Sequence, residues 1–217
     1  MRNNKHYIPV AGTWGRRYRL IDGRPWYRRG SSFFQRMKDC GWSRVEQDRD
    51  PLLPDNGYWS GDLGGVLIQS MYEWFAQSLS AHPPVWAAGG DALAALLAKR
   101  QYEWDGKELV VIAHSHGGQV AALAFAAFRP EINLRLITVD MPVRRDMYPV
   151  YAQAAEQIAH WTHLHSRFFN PVRLVGSRCG PCRNPFANLN IEVPGGHSGV
   201  LNTPRYLHHV PNILRST

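Results

Sequence analysis

Five consecutive apolar residues, Leu109-Val110-Val111-Ile112-Ala113, run without a spacer into His114-Ser115-His116-Gly117-Gly118 and then into the alanine-rich segment 119–128. A strand that is apolar at both parities must be covered on both faces, which a parallel sheet between helical layers provides. The alanine-rich segment reads as a helix that stops before Pro130. Strand, sharp turn and helix therefore follow one another directly. Such a turn crowds backbone against neighbouring side chains, so positions 113 and 117 must be small, and they are Ala and Gly.

The rest of the chain alternates in the same way. Residues 7–10 read as a first strand ending near Gly12, 31–40 as a helix with Ser31 or Ser32 as N-cap and Gly41 as stop, and 43–47 as a second strand. Residues 48–65 are rich in Pro, Gly and Asp, and 67–79 carry apolar residues at helical spacing; together, 48–85 form an expected surface excursion or cap. Further helices are expected over 86–100 and 150–159, and strands over 134–139, 161–166 and 189–193. No repeat or polar linker divides the 217 residues, so a single domain spanning 1–217 is expected. Strands alternating with helices predict an α/β fold with a mostly parallel central sheet and helices on both faces.

Composition removes several classes. A hydrophobic fraction of 44% excludes disorder for most of the chain. The longest apolar run, 120–128, is far short of the roughly 20 residues that span a bilayer. The first residues lack the apolar core of a signal peptide, and three cysteines are too few for a secreted disulfide scaffold, so a cytoplasmic location is expected. The net charge of +8 is densest at Arg16, Arg17, Arg19, Arg24, Arg28 and Arg29, but 21 of the 25 basic residues are Arg scattered along the whole chain. No motif of a nucleic-acid reader accompanies them, and the expectation is against a nucleic-acid partner.

Ala113-His114-Ser115-His116-Gly117 matches the small-x-Ser-x-Gly pattern of a nucleophile elbow, with Ala where Gly is usual. The turn would expose Ser115 Oγ at the carboxyl edge of the sheet and at a helix N-terminus, where backbone N–H groups favour a developing oxyanion. Of the ten histidines, His197 in Gly195-Gly196-His197-Ser198-Gly199 follows the last strand, where a base is expected for a serine so placed. An oxyanion hole would take one N–H from His116 and a second from Thr13 or Trp14, in the loop after the first strand.

In Gly12-Thr13-Trp14-Gly15, residues 113–118, the segment 138–144 and Gly196-His197-Ser198-Gly199, the chain resembles the α/β-hydrolases, of the small lipase- or esterase-like kind. The resemblance implies a single-domain α/β-hydrolase fold and a serine hydrolase that takes a small-molecule or lipid-like ester and requires no cofactor and no metal. It also implies an orienting acid after the strand that precedes the last, yet no Asp or Glu occurs between Glu156 and Glu192, and Asn170 stands where the acid would be sought. Asp140, directly after the strand 134–139, is the expected acid instead, a placement found in some lipases of this fold, with Asn170 as alternative. An amide there offers no charge to stabilise an imidazolium, an exchange that costs about 10⁴ in rate in a serine triad.

Cys179-Gly180-Pro181-Cys182 copies a redox tetrapeptide, but Arg183-Asn184-Pro185 does not read as the helix that lowers the thiol pKa, so a local disulfide or two reduced thiols is the plainer reading. His160, His163 and His165 cluster without nearby carboxylates, which gives little support for a metal site. The different-class alternative is a non-catalytic α/β-hydrolase-like binding protein whose basic surface meets a polyanion or a protein partner.

Overall fold

The computed structural model describes residues 4–12, 25–45, 84–129, 131–166, 182–194, 196, 210 and 213–214. Of the expected excursion over 48–85, residues 48–83 lie outside the described residues, as does Cys179, while Pro84 and Val85 already belong to a helix. The described strands are β1 (Lys5–Val10), β2 (Ser43–Arg44), β3 (Glu108–His114), β4 (Leu134–Val139), β5 (His160–Ser166) and β6 (Leu189–Val193). Between them run α1 (Ser32–Asp39), α2 (Pro84–Arg100), α3 (Gly117–Ala127) and α4 (Tyr148–Gln157). The strands form one six-stranded sheet in the order β2-β1-β3-β4-β5-β6, every pair of neighbours parallel.

Alternating side chains explain why the strand sequences are apolar throughout. Ile8, Val10, Leu109, Val111, Ala113, Leu134, Leu136 and Trp161 pack on one face, under α2, α3 and α4. Tyr7, Val110, Ile112, Ile137, Val139 and Leu164 pack on the other, with Phe33 and Met37 of α1 and with Val210, Ile213 and Leu214. The residues of β3 and β4, apart from Glu108 at the start, thus leave water on one side or the other. A fully buried aliphatic side chain contributes roughly 1.5–3 kcal/mol, and the two faces together supply the driving force.

Local signals position the ends. Ser31 caps α1, its Oγ accepting from Phe34 N at 3.1 Å and donating to Trp26 O at 2.8 Å. Gly41, at φ +81°, follows the end of α1 in the left-handed conformation that favours glycine. The expected helix at 119 begins two residues earlier, at Gly117, which leaves only Ser115 and His116 between strand and helix. The second strand is shorter than expected, Val45 already lying outside it. Among the described residues, no helix is long and apolar enough to cross a membrane.

The strand order reverses once. From β1 the chain moves outward to β2, then returns past β1 to build β3 through β6 on its other side. In open parallel sheets the crevice at such a reversal, outside the carboxyl ends of the strands, is where ligands bind. Here it lies between β1 and β3.

At the opposite edge of the sheet, His160 lies beside Arg135 in register. Burial, and secondarily the Arg135 charge, hold its pKa below the ordinary histidine value. The fold therefore favours neutral His160, and this contribution is present above the unfolded pKa and lost as pH falls below it. Urea midpoints are expected to drop between about pH 7.5 and about pH 5.5, with a shallower slope in His160→Gln; equal slopes in the two proteins would show that His160 carries none of the effect.

Candidate active site

The reversal in strand order brings two backbone segments into direct contact. Gly12, two residues past β1, lies so close to the β3–α3 turn that a Cβ there would stand 2.6 Å from His114 O, 2.6 Å from Ser115 Cβ and 3.2 Å from His116 N. From the other side, a Cβ on Gly117 would stand 2.7 Å from both Val10 O and Ala11 O. Neither position can carry a side chain, because what it would meet is mainly backbone that cannot step aside. The requirement for a small residue at 117 thus comes from the end of β1 as well as from the turn itself.

Ser115 sits at the point of this contact with φ +54°, in the left-handed region that non-glycine residues rarely enter. Its conformation is held from three directions. Its N–H donates to Val139 O of β4 at 2.9 Å, its carbonyl accepts from Gly118 N at 2.9 Å, and Gly12 covers its Cβ. The carbonyl of His116 accepts from Gln119 N at 3.0 Å, so α3 starts immediately. A left-handed residue between strand and helix turns the chain sharply and sets the serine at the carboxyl edge. Such a conformation costs roughly 1–2 kcal/mol and persists only where the surroundings enforce it, which is a mark of functional positions.

Asp140 repeats the arrangement one strand over. It directly follows β4 as Ser115 directly follows β3, the last paired residues being His114 and Val139. Its φ is +46°, it is 1% exposed, and its N–H donates to Leu164 O at 2.7 Å. Oδ1 accepts from Ser166 N at 2.8 Å, so the carboxylate is anchored to the end of β5. The side chain therefore has a structural tie, as a turn-capping aspartate would, and residue 140 follows β4 at the same edge where Ser115 follows β3.

The structure thus places Ser115, His116 and Asp140 of the expected set at one edge of the sheet, with Gly12 pressed against the first two. Thr13, Trp14, Asn170 and His197 lie outside the described residues. The His116 ring lies tilted against Trp86 of α2, with ring centroids 4.8 Å apart, a contact that sequence reading did not foresee because residue 86 looks like one more core aromatic of a helix. Gln119 was also missed, although a signal was present: it is the only polar side chain of α3, and it is fully buried.

The histidine cluster resolves into separate roles. Trp161 Nε1 can only donate, and it donates to Thr138 Oγ1 at 3.0 Å. Cys182 O can only accept, so His163 Nε2 at 3.0 Å carries a proton. The remaining contact joins Thr138 Oγ1 and His163 Nδ1 at 2.9 Å. Nε2 of His163 ties the segment at Cys182 to β5, and Nδ1 joins β5 to Thr138 of β4. Cys182 itself is a free thiol.

The chain matches no protein-family model, and no curated protein is similar to it in sequence.

Relief of the strain at residue 115 is measurable apart from any activity. Ser115→Gly is expected to be more stable than Ser115→Ala by about 0.5–1 kcal/mol in urea unfolding, since glycine adopts positive φ without a steric penalty. Gly117→Ala should lose about 2–3 kcal/mol, because the added methyl meets backbone carbonyls. A Gly117→Ala protein as stable as wild type would show that the contact between β1 and the turn is looser than described.

Proposed function

We propose that this protein is a serine hydrolase with an α/β-hydrolase fold, cleaving a carboxylic ester of a small or lipid-like substrate through an acyl-enzyme. The observation that carries the reading is Ser115 at φ +54° between β3 and α3, at the strand-order reversal. Three features support it. The strand-turn-helix context is what a nucleophile elbow requires. Gly12 lies against His116 N, so the loop that begins at Thr13 starts beside the N–H expected to hold the oxyanion. Asp140 emerges from the neighbouring strand at the same edge, buried and hydrogen-bonded as an orienting acid needs to be.

His197 is the proposed base. β6 lies three strand spacings from β3, roughly 14 Å. The four residues from Val193 to His197 extend over at most about 14 Å, so the chain is long enough to bring the imidazole back to the nucleophile. In the acylation step Ser115 Oγ attacks the ester carbonyl carbon while His197 takes the hydroxyl proton. The tetrahedral oxyanion is held by the N–H groups of His116 and of Thr13 or Trp14. Collapse breaks the bond to the alcohol, which leaves with the proton from His197, and water then repeats the sequence to release the acid and free Ser115. Asp140 fixes the histidine tautomer and stabilises the imidazolium in both halves.

A fluorophosphonate probe should label the wild-type protein and leave Ser115→Ala unlabelled. In hydrolysis of a short p-nitrophenyl ester, Asp140→Asn should lower kcat by about 10⁴ with little change in KM. If Asp140→Asn stays active while His197→Ala is dead, Asp140 is not the acid and the loop containing Asn170 takes its place. A folded wild type that resists labelling removes the enzyme reading and leaves the non-catalytic, hydrolase-like binding protein.

A further inference from the structure

The turn that carries Ser115 is enclosed by a ring of buried side chains. Gln119 faces Pro142 and Tyr151. The Pro142 carbonyl can only accept, so the amide nitrogen of Gln119 donates to it, and the amide oxygen accepts from the Tyr151 hydroxyl. Burial pushes the Tyr151 phenol pKa up, so the hydroxyl keeps the proton it donates. The same phenol oxygen accepts the Arg144 N–H at 3.3 Å. Arg144 is gripped by both carboxylate oxygens of Asp146 and lies 5.2 Å over the Trp86 ring. Trp86 packs against the tilted His116 ring, and the His116 carbonyl accepts from Gln119 N in the first turn of α3.

The ring holds the two segments that matter for the site. One is His116, the residue after Ser115; the other is 142–144, just past Asp140. Between them, Met141 is pressed onto Gly118, where a Cβ would stand 2.6 Å from its Sδ. Gln119, Tyr151 and Arg144 are 0%, 0% and 4% exposed, so none of these polar groups has water as a ready substitute partner.

Resting on the serine-hydrolase reading, we propose that Gln119 is a positioning residue for the Ser115–Asp140 pair: its amide, donating to Pro142 and accepting from Tyr151, fixes the exit of β4 against the elbow. An uncharged group of this length that donates from one atom and accepts at another is required. An apolar replacement leaves a buried carbonyl and a buried hydroxyl unpaired, and the segment moves to pair them. A displacement of about 1 Å at a catalytic group costs on the order of 100-fold in rate.

The requirement can be read through pH. A neutral carboxyl accepts on one oxygen and donates from the other, so Gln119→Glu reproduces both bonds while protonated; once ionised it can only accept, and it faces the Pro142 carbonyl. Burial raises the pKa of such a carboxyl, which puts the change within the working range. With the p-nitrophenyl ester, kcat of Gln119→Glu relative to wild type should be within about 3-fold at the acid end of the range and fall about 10- to 100-fold as pH rises. Gln119→Met should be lowered by about 10- to 100-fold at every pH, with KM within about 2-fold of wild type. Both are compared at equal amounts of folded protein, from near-UV circular dichroism.

If either Gln119 variant fails to fold, Tyr151→Phe takes its place, since it removes one hydroxyl and keeps the ring against Trp161 and Phe186. Its kcat should fall about 3- to 10-fold at unchanged KM. Folded Gln119→Met, or folded Tyr151→Phe, with wild-type kcat overturns the positioning role while the hydrolase reading stands. A Gln119→Glu to wild-type ratio that does not vary with pH overturns it too. A wild type that neither labels nor hydrolyses removes the hydrolase reading, and this proposal with it.

Discussion

The contact between the end of β1 and the turn after β3 is the constraint on which the site depends. Val10 and Ala11 present carbonyls to Gly117, and Gly12 presents its backbone to Ser115. Only because two glycines interlock there can the parallel strands run side by side to their ends and the chain still reverse into α3 within two residues. A single methyl on either would force the strands apart or flatten the turn. The strained φ of Ser115 is a consequence, since the backbone can pass between β1 and α3 only by turning left-handed.

Around that contact the molecule changes character. The central strands are largely apolar on both faces, and many of the buried polar groups lie at the carboxyl edge or next to it: Ser115, His116, Asp140, Gln119, Arg144, His165 and Ser166. Burial of such groups is unfavourable unless each finds a partner. The structure supplies partners largely from segments distant in the chain, as with Gln119 and Pro142 or Asp140 and Ser166. Fully satisfied, a network of this kind permits few alternative arrangements. Rigidity is what a site needs if its groups are to stay aligned without substrate.

Much of the architecture was readable in the sequence because burial on both faces leaves a strong local trace. The apolar run at 109–113 and the mostly apolar 134–139 are what strands covered on both faces require. Ser31 as a cap and the turn at Ser115 were also legible, since capping chemistry and small-residue requirements act over a few positions. Trp86, Tyr151 and Arg144 were not legible. A tryptophan or tyrosine on a helix face reads as core whether or not its neighbours make it part of a site. Gln119 was visible as an oddity in an alanine-rich helix, but nothing near it named Pro142 as its partner.

The sequence by itself determined the strand-turn-helix unit at Ser115, the parallel character of the sheet and the absence of any Asp or Glu between Glu156 and Glu192. These follow from which side chains can be buried and from steric limits within a few residues. Only the tertiary structure decided that Gly12 closes on Ser115, that Asp140 accepts from Ser166 on the next strand, and that a ring of side chains links the helix after Ser115 to the segment after Asp140. Each of these joins segments far apart in the chain. Which segments meet depends on the order of strands in the sheet, and hydrophobic periodicity carries no record of that order.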